Sequence, residues 1–215
     1  MLVLLAQAFR GSQYPASDAS GLQTGLGSFH NNITFKLSQG LEHDDQKSGV
    51  EELYLPWFAQ GGILVYPHIR GGGENGVDWY EAGKKATKSN SCQDIIFSPK
   101  YLIDKGLAYT DDIVLMSPSG GGVAGGMAVN EAPELFKGFI CEMPILNPSR
   151  LDHGNFSNNY QLEFGSVENP SEAENLYAMD PLLYLNLEQR LPNVLVISAG
   201  NDDRVDGLST YPFTN

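Results

Sequence analysis

The chain has 215 residues, of which 41% are hydrophobic and 18% are charged, a composition typical of one globular domain with a hydrophobic core. Its formal net charge of −13, with 13 Lys and Arg residues scattered along the sequence, argues against nucleic acid or an anionic membrane as a partner. Its two cysteines lie far apart without zinc-ligand spacing, so the sequence indicates no metal, no cofactor and a reducing, cytoplasmic compartment.

The first fifty residues form a poorly defined N-terminal segment ahead of a main domain over 51–215. Residues 1–6 are apolar and lack the basic lead of a signal peptide, so we expect a buried strand there. Residues 11–50 are rich in Gly, Ser, Asn and Asp with little periodic apolar patterning, which predicts loop. No run approaches the roughly 20 apolar residues that span a bilayer.

Predicted strands and helices alternate through the main domain. Short apolar runs predict strands at 63–66, 113–116, 139–141 and 193–198. Helical patterns are predicted for 51–58, for 91–106 and from 121 to the Ala132-Pro133 interruption. This alternation predicts an α/β fold with a mostly parallel sheet and helices on both faces. In such a sheet, catalytic groups gather at the carboxyl ends of the strands.

The turn after the predicted strand 113–116 contains a candidate nucleophile. Residues 117–122 are Ser-Pro-Ser-Gly-Gly-Gly, and Ser119 lies where a strand passes sharply into a small-residue helix, a turn that lifts a serine Oγ out of a sheet. The amide of Gly120, at the helix N-terminus, would donate to an oxyanion. Because Ser117 replaces the first glycine of the G-x-S-x-G pattern, a glycine-rich turn that only permits close helix packing is the alternative.

A candidate acid follows the predicted strand 193–198. Asp202 stands where a hydrolase of this class needs a carboxylate to orient an imidazole, and it follows the nucleophile in chain order. A surface Asx-turn is the alternative, since Asn-Asp clusters favour turns.

Three successive glycines follow the first predicted strand of the main domain. Residues 68–74 are His-Ile-Arg-Gly-Gly-Gly-Glu, and the glycines permit positive backbone angles and close approach of other segments. A phosphate-binding loop is not indicated, because the P-loop Lys-Ser/Thr ending and the G-x-G-x-x-G spacing are absent. His68, at the end of the strand, is interpreted as a structural histidine.

Taken together, these segments resemble the catalytic domain of the prolyl oligopeptidase family from about Trp57 to Val205, which is most of the chain. The matching residues are 69–74, 79–83 (Trp-Tyr-Glu-Ala-Gly), Asn90, Asp94, 101–103 (Tyr-Leu-Ile), 132–136 (Ala-Pro-Glu-Leu-Phe), 165–166 (Gly-Ser) and 202–205 (Asp-Asp-Arg-Val).

The resemblance implies an α/β-hydrolase fold and a Ser-Asp-His triad that hydrolyses short peptides, with Ser119 and Asp202 as two of its members. It also implies that Arg204 binds a substrate backbone carbonyl and that Tyr160 packs against a substrate proline ring. A salt bridge to a neighbouring aspartate is the alternative for Arg204, and an ordinary half-buried tyrosine is the alternative for Tyr160.

Several features depart from the family pattern. The family nucleophile loop usually contains Gly-Gly-Ser-Asn-Gly-Gly, Pro118 precedes the serine here, and no segment for a second oxyanion donor is evident in the first fifty residues. All four histidines precede Asp202, whereas the family histidine follows its acid. We therefore expect a peptidase domain that is incomplete at both ends and weakly active. The alternatives are a non-catalytic module that binds peptides and an esterase of the same fold.

Overall fold

The strands of the described residues form a single six-stranded sheet. The computed structural model describes residues 3–7, 34–38, 54–153 and 157–200. The strands are β1 (Val3–Gln7), β2 (Thr34–Ser38), β3 (Gly62–His68), β4 (Ile113–Met116), β5 (Gly138–Glu142) and β6 (Asn193–Ile197). Their order across the sheet is β2-β3-β1-β4-β5-β6. All four strands predicted in the main domain are present.

Strand direction divides the sheet into two sets. β4 pairs in parallel with β5, and β5 pairs in parallel with β6. β1 is antiparallel to both β3 and β4, and β2 is antiparallel to β3. Because β1 reverses direction on both of its sides, β3, β4, β5 and β6 all point the same way. The predicted mostly parallel α/β sheet is therefore observed, with β1 and β2 running against it.

Among the first fifty residues, the structure describes two segments, and both are strands. β1 is the strand expected at the start of the chain, and its Leu4 and Ala6 side chains are buried. The prediction of loop was wrong for β2, which pairs along its length with β3. Its sequence, Thr-Phe-Lys-Leu-Ser, alternates polar and apolar residues as a half-buried strand does. Five alternating residues inside a Gly- and Ser-rich stretch are too short to stand out before a partner strand is known.

Helices connect the strands of the main domain. They are α1 (Leu55–Ala59), α2 (Val77–Glu81), α3 (Lys88–Asp104), α4 (Gly121–Glu131), α5 (Ser157–Phe164) and α6 (Pro170–Ala178), with short 3-10 helices at Lys85–Thr87, Pro133–Leu135 and Pro148–His153. The predicted helix 91–106 corresponds to α3, which continues through Pro99. α4 ends at Glu131, before the predicted interruption.

Side chains alternate between the two faces of the sheet. In β3, Ile63 and Val65 join the main core together with buried residues of α3 and α4, whereas Leu64 packs on the opposite face against Trp57 and Phe58 of α1. Helices therefore cover both faces, as expected from the alternation of strands and helices. Within the described ranges, no helix is both long enough and apolar enough to cross a membrane.

A smaller core supports the helices between β5 and β6. It contains buried side chains from α4, from the segment after β5, and from α5 and α6 themselves: Val123, Ile145, Leu151, Phe164, Leu176 and Met179. This small core packs α5 against the start of α4, beside the carboxyl end of β4. The turn that contains Ser119 lies at that position.

Candidate active site

Ser119 occupies a strained turn between β4 and α4. Its φ is +51°, in the left-handed region that residues other than glycine rarely adopt, and its side chain is exposed. A non-glycine residue in this region costs about 1–3 kcal/mol and persists only where the surrounding structure enforces it. This strained geometry between a strand and a helix is the turn that a nucleophilic serine requires.

Three backbone hydrogen bonds hold the turn. The Ser119 N–H donates to the carbonyl oxygen of Glu142 at 2.9 Å. The Ser119 carbonyl oxygen accepts from the N–H groups of Ile145 and Gly122, each at 2.9 Å. Because Glu142 and Ile145 belong to the end of β5 and the segment after it, the neighbouring strand fixes the turn. The Ser119 hydroxyl is left exposed to the space above the sheet.

Ser117, which departs from the usual glycine, is accommodated by a glycine on α4. Ser117 is fully buried, and its Oγ donates to the carbonyl oxygen of Gly121 at 2.7 Å. A Cβ added at Gly125 would lie 2.5 Å from Ser117 Oγ and 2.7 Å from Ser117 Cβ, closer than atoms can approach. The serine side chain therefore fills the space that a larger residue at position 125 would need.

The amide of Gly120 is available as a hydrogen-bond donor. Among the described residues, no acceptor takes the Gly120 N–H, which precedes the first turn of α4. A Cβ added at Gly120 would lie 3.5 Å from Cζ of Phe164, an ordinary contact. The amide lies next to Ser119 in the chain and close to an aromatic side chain of α5. This position suits an oxyanion donor.

Ser119 opens into a pocket of about 440 Å³, within the usual size range of small-ligand sites. Predicted site residues Ser119, Gly120 and Tyr160 all line it, together with Phe164. β3 and the glycine-rich loop contribute further lining residues, which are Pro67, Ile69, Arg70, Gly71, Gly72 and Glu74. The structure thus brings together the predicted nucleophile, the predicted oxyanion donor and the predicted substrate-packing tyrosine. The other two predicted site residues, Asp202 and Arg204, lie outside the described residues.

An ion pair that sequence analysis missed forms part of the pocket wall. Lys88 Nζ lies 2.5 Å from Glu163 Oε1, and only 8% of the Lys88 side chain is exposed. The Tyr80 hydroxyl donates to Glu163 Oε2 at 3.2 Å, and the Lys88 ammonium lies 5.2 Å from the centre of the Phe164 ring. Burial, and secondarily the Glu163 carboxylate, raise the pKa of Tyr80. The sequence offered no indication of this pair: Glu163 lies three residues after Tyr160, but no helix was predicted there that would place them on one face.

The glycine-rich loop is held by a second ion pair. Arg70 Nε and Nη2 donate to both carboxylate oxygens of the fully buried Asp94, at 2.6 to 3.2 Å, and the Arg70 N–H donates to it at 2.8 Å. These hydrogen bonds raise the pKa of Arg70. Gly71 has a φ of +95°, and a Cβ added there would lie 2.8 Å from the Gly83 carbonyl oxygen. The predicted positive angle and close approach of another segment are therefore confirmed for Gly71; Gly73, with nothing within 4 Å of an added Cβ, shows neither.

The histidines of the sequence are placed as follows. His68 lies in β3 opposite Thr34 of β2 and is not among the residues that line the pocket. His30 and His43 lie outside the described residues, as does the side chain of His153. In the part of the chain that is described, no group of three or more His, Cys, Asp and Glu side chains is placed to hold a metal ion.

Comparison of the sequence with known proteins gives one family. Residues 49–214 match the model of the prolyl oligopeptidase family. An uncharacterised peptidase of Rickettsia prowazekii (strain Madrid E) is 31% identical over 149 residues, which are 69% of this chain and 21% of the relative. A prolyl endopeptidase of Dictyostelium discoideum is 30% identical over 153 residues, 71% of this chain and 20% of the relative. The chain spans about a fifth of the length of these relatives.

Solved structures give the same result. One chain from a structural and mechanistic analysis of two prolyl endopeptidases superposes with a TM-score of 0.72 at 26% identity, covering 75% of this chain and 24% of that one. Prolyl oligopeptidase B from Galerina marginata superposes with a TM-score of 0.66 at 24% identity, covering 70% and 22% of the two chains. The second similarity shows the fold alone.

Proposed function

The chain belongs to the prolyl oligopeptidase family, and we propose that it is a serine peptidase that hydrolyses short peptides through Ser119. One observation carries the proposal: Ser119 has a φ of +51° in the turn between β4 and α4, and its exposed side chain lines a pocket. Ser117, two residues earlier, is fully buried and donates to Gly121, so it is not available for the same chemistry.

In the proposed reaction, Ser119 Oγ attacks the carbonyl carbon of the scissile peptide bond while its proton passes to a histidine. The new oxyanion accepts from the Gly120 N–H. Collapse of the tetrahedral intermediate breaks the C–N bond, and the histidine returns the proton to the leaving amine. Water then hydrolyses the acyl-enzyme by the same steps, and Asp202 holds the histidine throughout.

The expected rate of peptide cleavage depends on whether a catalytic histidine is present. In the family order it follows the acid, and residues 203–215 contain none. Loss of one triad member typically costs roughly four to six orders of magnitude in turnover. We therefore expect these 215 residues on their own to cleave peptides very slowly, with substrate binding and the Gly120 donor accounting for the remaining rate.

We propose that the residue before the scissile bond is preferentially proline. Tyr160, on α5, lines the pocket and would pack against the pyrrolidine ring, with the buried Phe164 beside it. Arg204 would donate to a substrate backbone carbonyl. The relatives named prolyl endopeptidases support this preference. The free, buried thiols of Cys92 and Cys141 fit our proposal of a reducing, cytoplasmic compartment.

A fluorophosphonate tests the nucleophile. The chain, Ser119→Ala and the matched control Ser117→Ala are incubated with the reagent for the same long period, and adducts are detected by intact mass. We expect one adduct on the chain and on the Ser117→Ala variant, and none on Ser119→Ala. An adduct that persists in Ser119→Ala, or complete absence of labelling in all three proteins, would contradict the proposal.

Peptide binding without turnover is a second candidate function. It is favoured by the pocket wall, because its described lining residues include Ser119 and two aromatic side chains but no histidine. Saturable binding of a proline-containing peptide to a chain that fluorophosphonate does not label would support this second function. Faster cleavage of acyl esters than of matched peptides would instead indicate an esterase.

A further inference from the structure

We propose that Glu163 is a positioning residue that, through Lys88 and Tyr80, holds Tyr160 and Phe164 against the nucleophile and so gives the pocket its preference for a proline ring. The inference rests on the proposed function, because it takes the pocket to be the site where the residue before the scissile bond binds.

The two carboxylate oxygens of Glu163 bind side chains of two other helices, α3 and α2. Oε1 pairs with Lys88 Nζ on α3 at 2.5 Å, and Oε2 accepts from the Tyr80 hydroxyl on α2 at 3.2 Å. Hydrogen bonds to an ionised group are short and directional. Together the two bonds fix the carboxyl end of α5 relative to α2 and α3.

Burial restricts the geometry of the Lys88–Glu163 ion pair. The Lys88 side chain is 8% exposed and that of Glu163 is 27% exposed, so water screens the pair only in part. A buried ammonium without a partner is strongly unfavourable, which leaves few alternative positions for the carboxylate. The same ammonium lies 5.2 Å from the centre of the Phe164 ring, within cation–π range. Lys88 thus contacts two consecutive residues of α5.

The geometry of α5 transmits this constraint to the pocket. Tyr160, Glu163 and Phe164 are spaced i, i+3 and i+4, which places them on one face of the helix. All three line the pocket, and Phe164 lies against Gly120. A helix of eight residues moves as a unit. Displacement of Glu163 therefore displaces the aromatic side chains that would contact a proline ring.

A second ion pair nearby provides a matched control. Lys85 Nζ lies 2.8 Å from Glu172 Oε1 and ties α6 to the segment just before α3. Glu172 also accepts from the Ser166 N–H at 3.0 Å. Like Glu163, it is a partly exposed glutamate paired with a lysine of the 85–88 segment. Unlike Glu163, it does not line the pocket.

The test compares two ligands on the full chain: an N-blocked glycyl-proline amide and an N-blocked glycyl-glycine amide. Their dissociation constants are measured by displacement calorimetry for the chain, Glu163→Gln and Glu172→Gln. Glutamine offers one acceptor oxygen to two donors, so one tether is lost. We expect Glu163→Gln to weaken the prolyl ligand about tenfold, as for one hydrogen bond to a charged group, and the glycyl ligand less than about twofold. Glu172→Gln should change neither constant by more than about twofold.

A further variant separates positioning from stability. Lys88→Met combined with Glu163→Gln removes the buried ammonium that Glu163→Gln leaves poorly paired, while keeping an unbranched side chain at position 88. This double variant should unfold cooperatively and still bind the prolyl ligand about tenfold more weakly than the chain does. Equal weakening of both ligands, equal weakening in Glu172→Gln, or unchanged prolyl affinity in the double variant would each overturn the inference.

Labelling of Ser119 in the same samples distinguishes the two proposals. Prolyl selectivity that depends on Glu163 in a chain that fluorophosphonate does not label would support the positioning role and contradict the peptidase. Fluorophosphonate labelling of Ser119, together with ligand affinities that do not depend on Glu163, would support the peptidase proposal and overturn the positioning role. Failure of the unaltered chain to prefer the prolyl ligand also overturns it.

Discussion

The backbone N–H of Ser119 donates to the carbonyl oxygen of Glu142 at 2.9 Å. This bond joins the turn after β4 to the last residue of β5, so two parallel strands together set the position of the proposed nucleophile. The serine holds a φ of +51° before any substrate is present. The conformational cost of that angle is offset by the folded domain, which leaves the hydroxyl preorganised for attack.

The strain at Ser119 predicts a difference in stability between two variants at this position. Ser119→Gly and Ser119→Ala both remove the hydroxyl, but only glycine adopts a positive φ without a steric penalty. We expect Ser119→Gly to be more stable than Ser119→Ala by about 1 kcal/mol. Chemical denaturation of the two variants measures the difference. A less stable glycine variant would show that the turn is not strained as described.

Ser117 and Gly125 are predicted to be energetically coupled. Gly125→Ala places a methyl group against Ser117 and should cost about 1–3 kcal/mol. Adding Ser117→Gly should recover much of that loss, because it vacates the contested space. Gly120→Ala is the control: φ there is −57° and the nearest contact of a new Cβ is 3.5 Å, so we expect a change below about 0.5 kcal/mol.

The measurement for this pair is a double-mutant cycle by denaturant unfolding. Additive effects of Gly125→Ala and Ser117→Gly would contradict the packing account of the nucleophile turn.

The Arg70–Asp94 pair is predicted to be a main determinant of stability. Asp94 is fully buried and its carboxylate accepts four hydrogen bonds from Arg70 at 2.6 to 3.2 Å, so Asp94→Asn should destabilise the chain by about 3 kcal/mol. Asp104, 78% exposed and 3.9 Å from Lys105, provides the control, and Asp104→Asn should change stability by less than about 0.5 kcal/mol. Thermal unfolding of both variants tests this, and similar losses in the two would refute it.

The Lys85–Glu172 pair predicts a dependence of stability on pH. The hydrogen bond from Lys85, and then that from the Ser166 N–H, lower the pKa of Glu172 below its ordinary value of 4.5. A carboxylate whose folded-state pKa is depressed stabilises the fold above its unfolded-state pKa and loses that contribution as pH falls through the folded-state value. The Glu172 contribution is therefore fully present above about pH 4.5 and declines below it.

Unfolding temperature measured from pH 6 to pH 3 tests the sign of this effect. We expect the melting temperatures of the chain and of Glu172→Gln to converge as pH falls below 4.5. A gap between them that widens on acidification would contradict the assignment.

Much of the fold was predictable because its strands are compact apolar runs. The runs at 113–116 and 139–141 are buried on at least one face, and each is followed by glycine- or proline-containing turns. β2 was missed because five residues of alternating polarity do not by themselves indicate a strand. Its pairing with β3, which joins distant parts of the sequence, is what identifies it. The antiparallel direction of β1 is likewise set by its neighbours in the sheet.

The candidate site was predictable in part for a related reason. Ser119 follows a strand and precedes a small-residue helix, and this local pattern indicates the turn. No residue propensity indicates that Gly125 makes room for Ser117, because that contact depends on packing of α4 against the turn. The Lys88–Glu163 pair joins residues 75 positions apart, and no local pattern relates them. These residues of the pocket wall could not be predicted because their partners are distant in the sequence.

The most direct test of the central claim is to locate the reactive residue chemically. The chain is treated with a fluorophosphonate and digested, and the modified peptide is sequenced by tandem mass spectrometry. Our account predicts a single phosphonylated residue, Ser119, with Ser117 unmodified in the same peptide. Phosphonate on any other residue, or a fully unmodified digest, would contradict the assignment of this turn as the catalytic nucleophile.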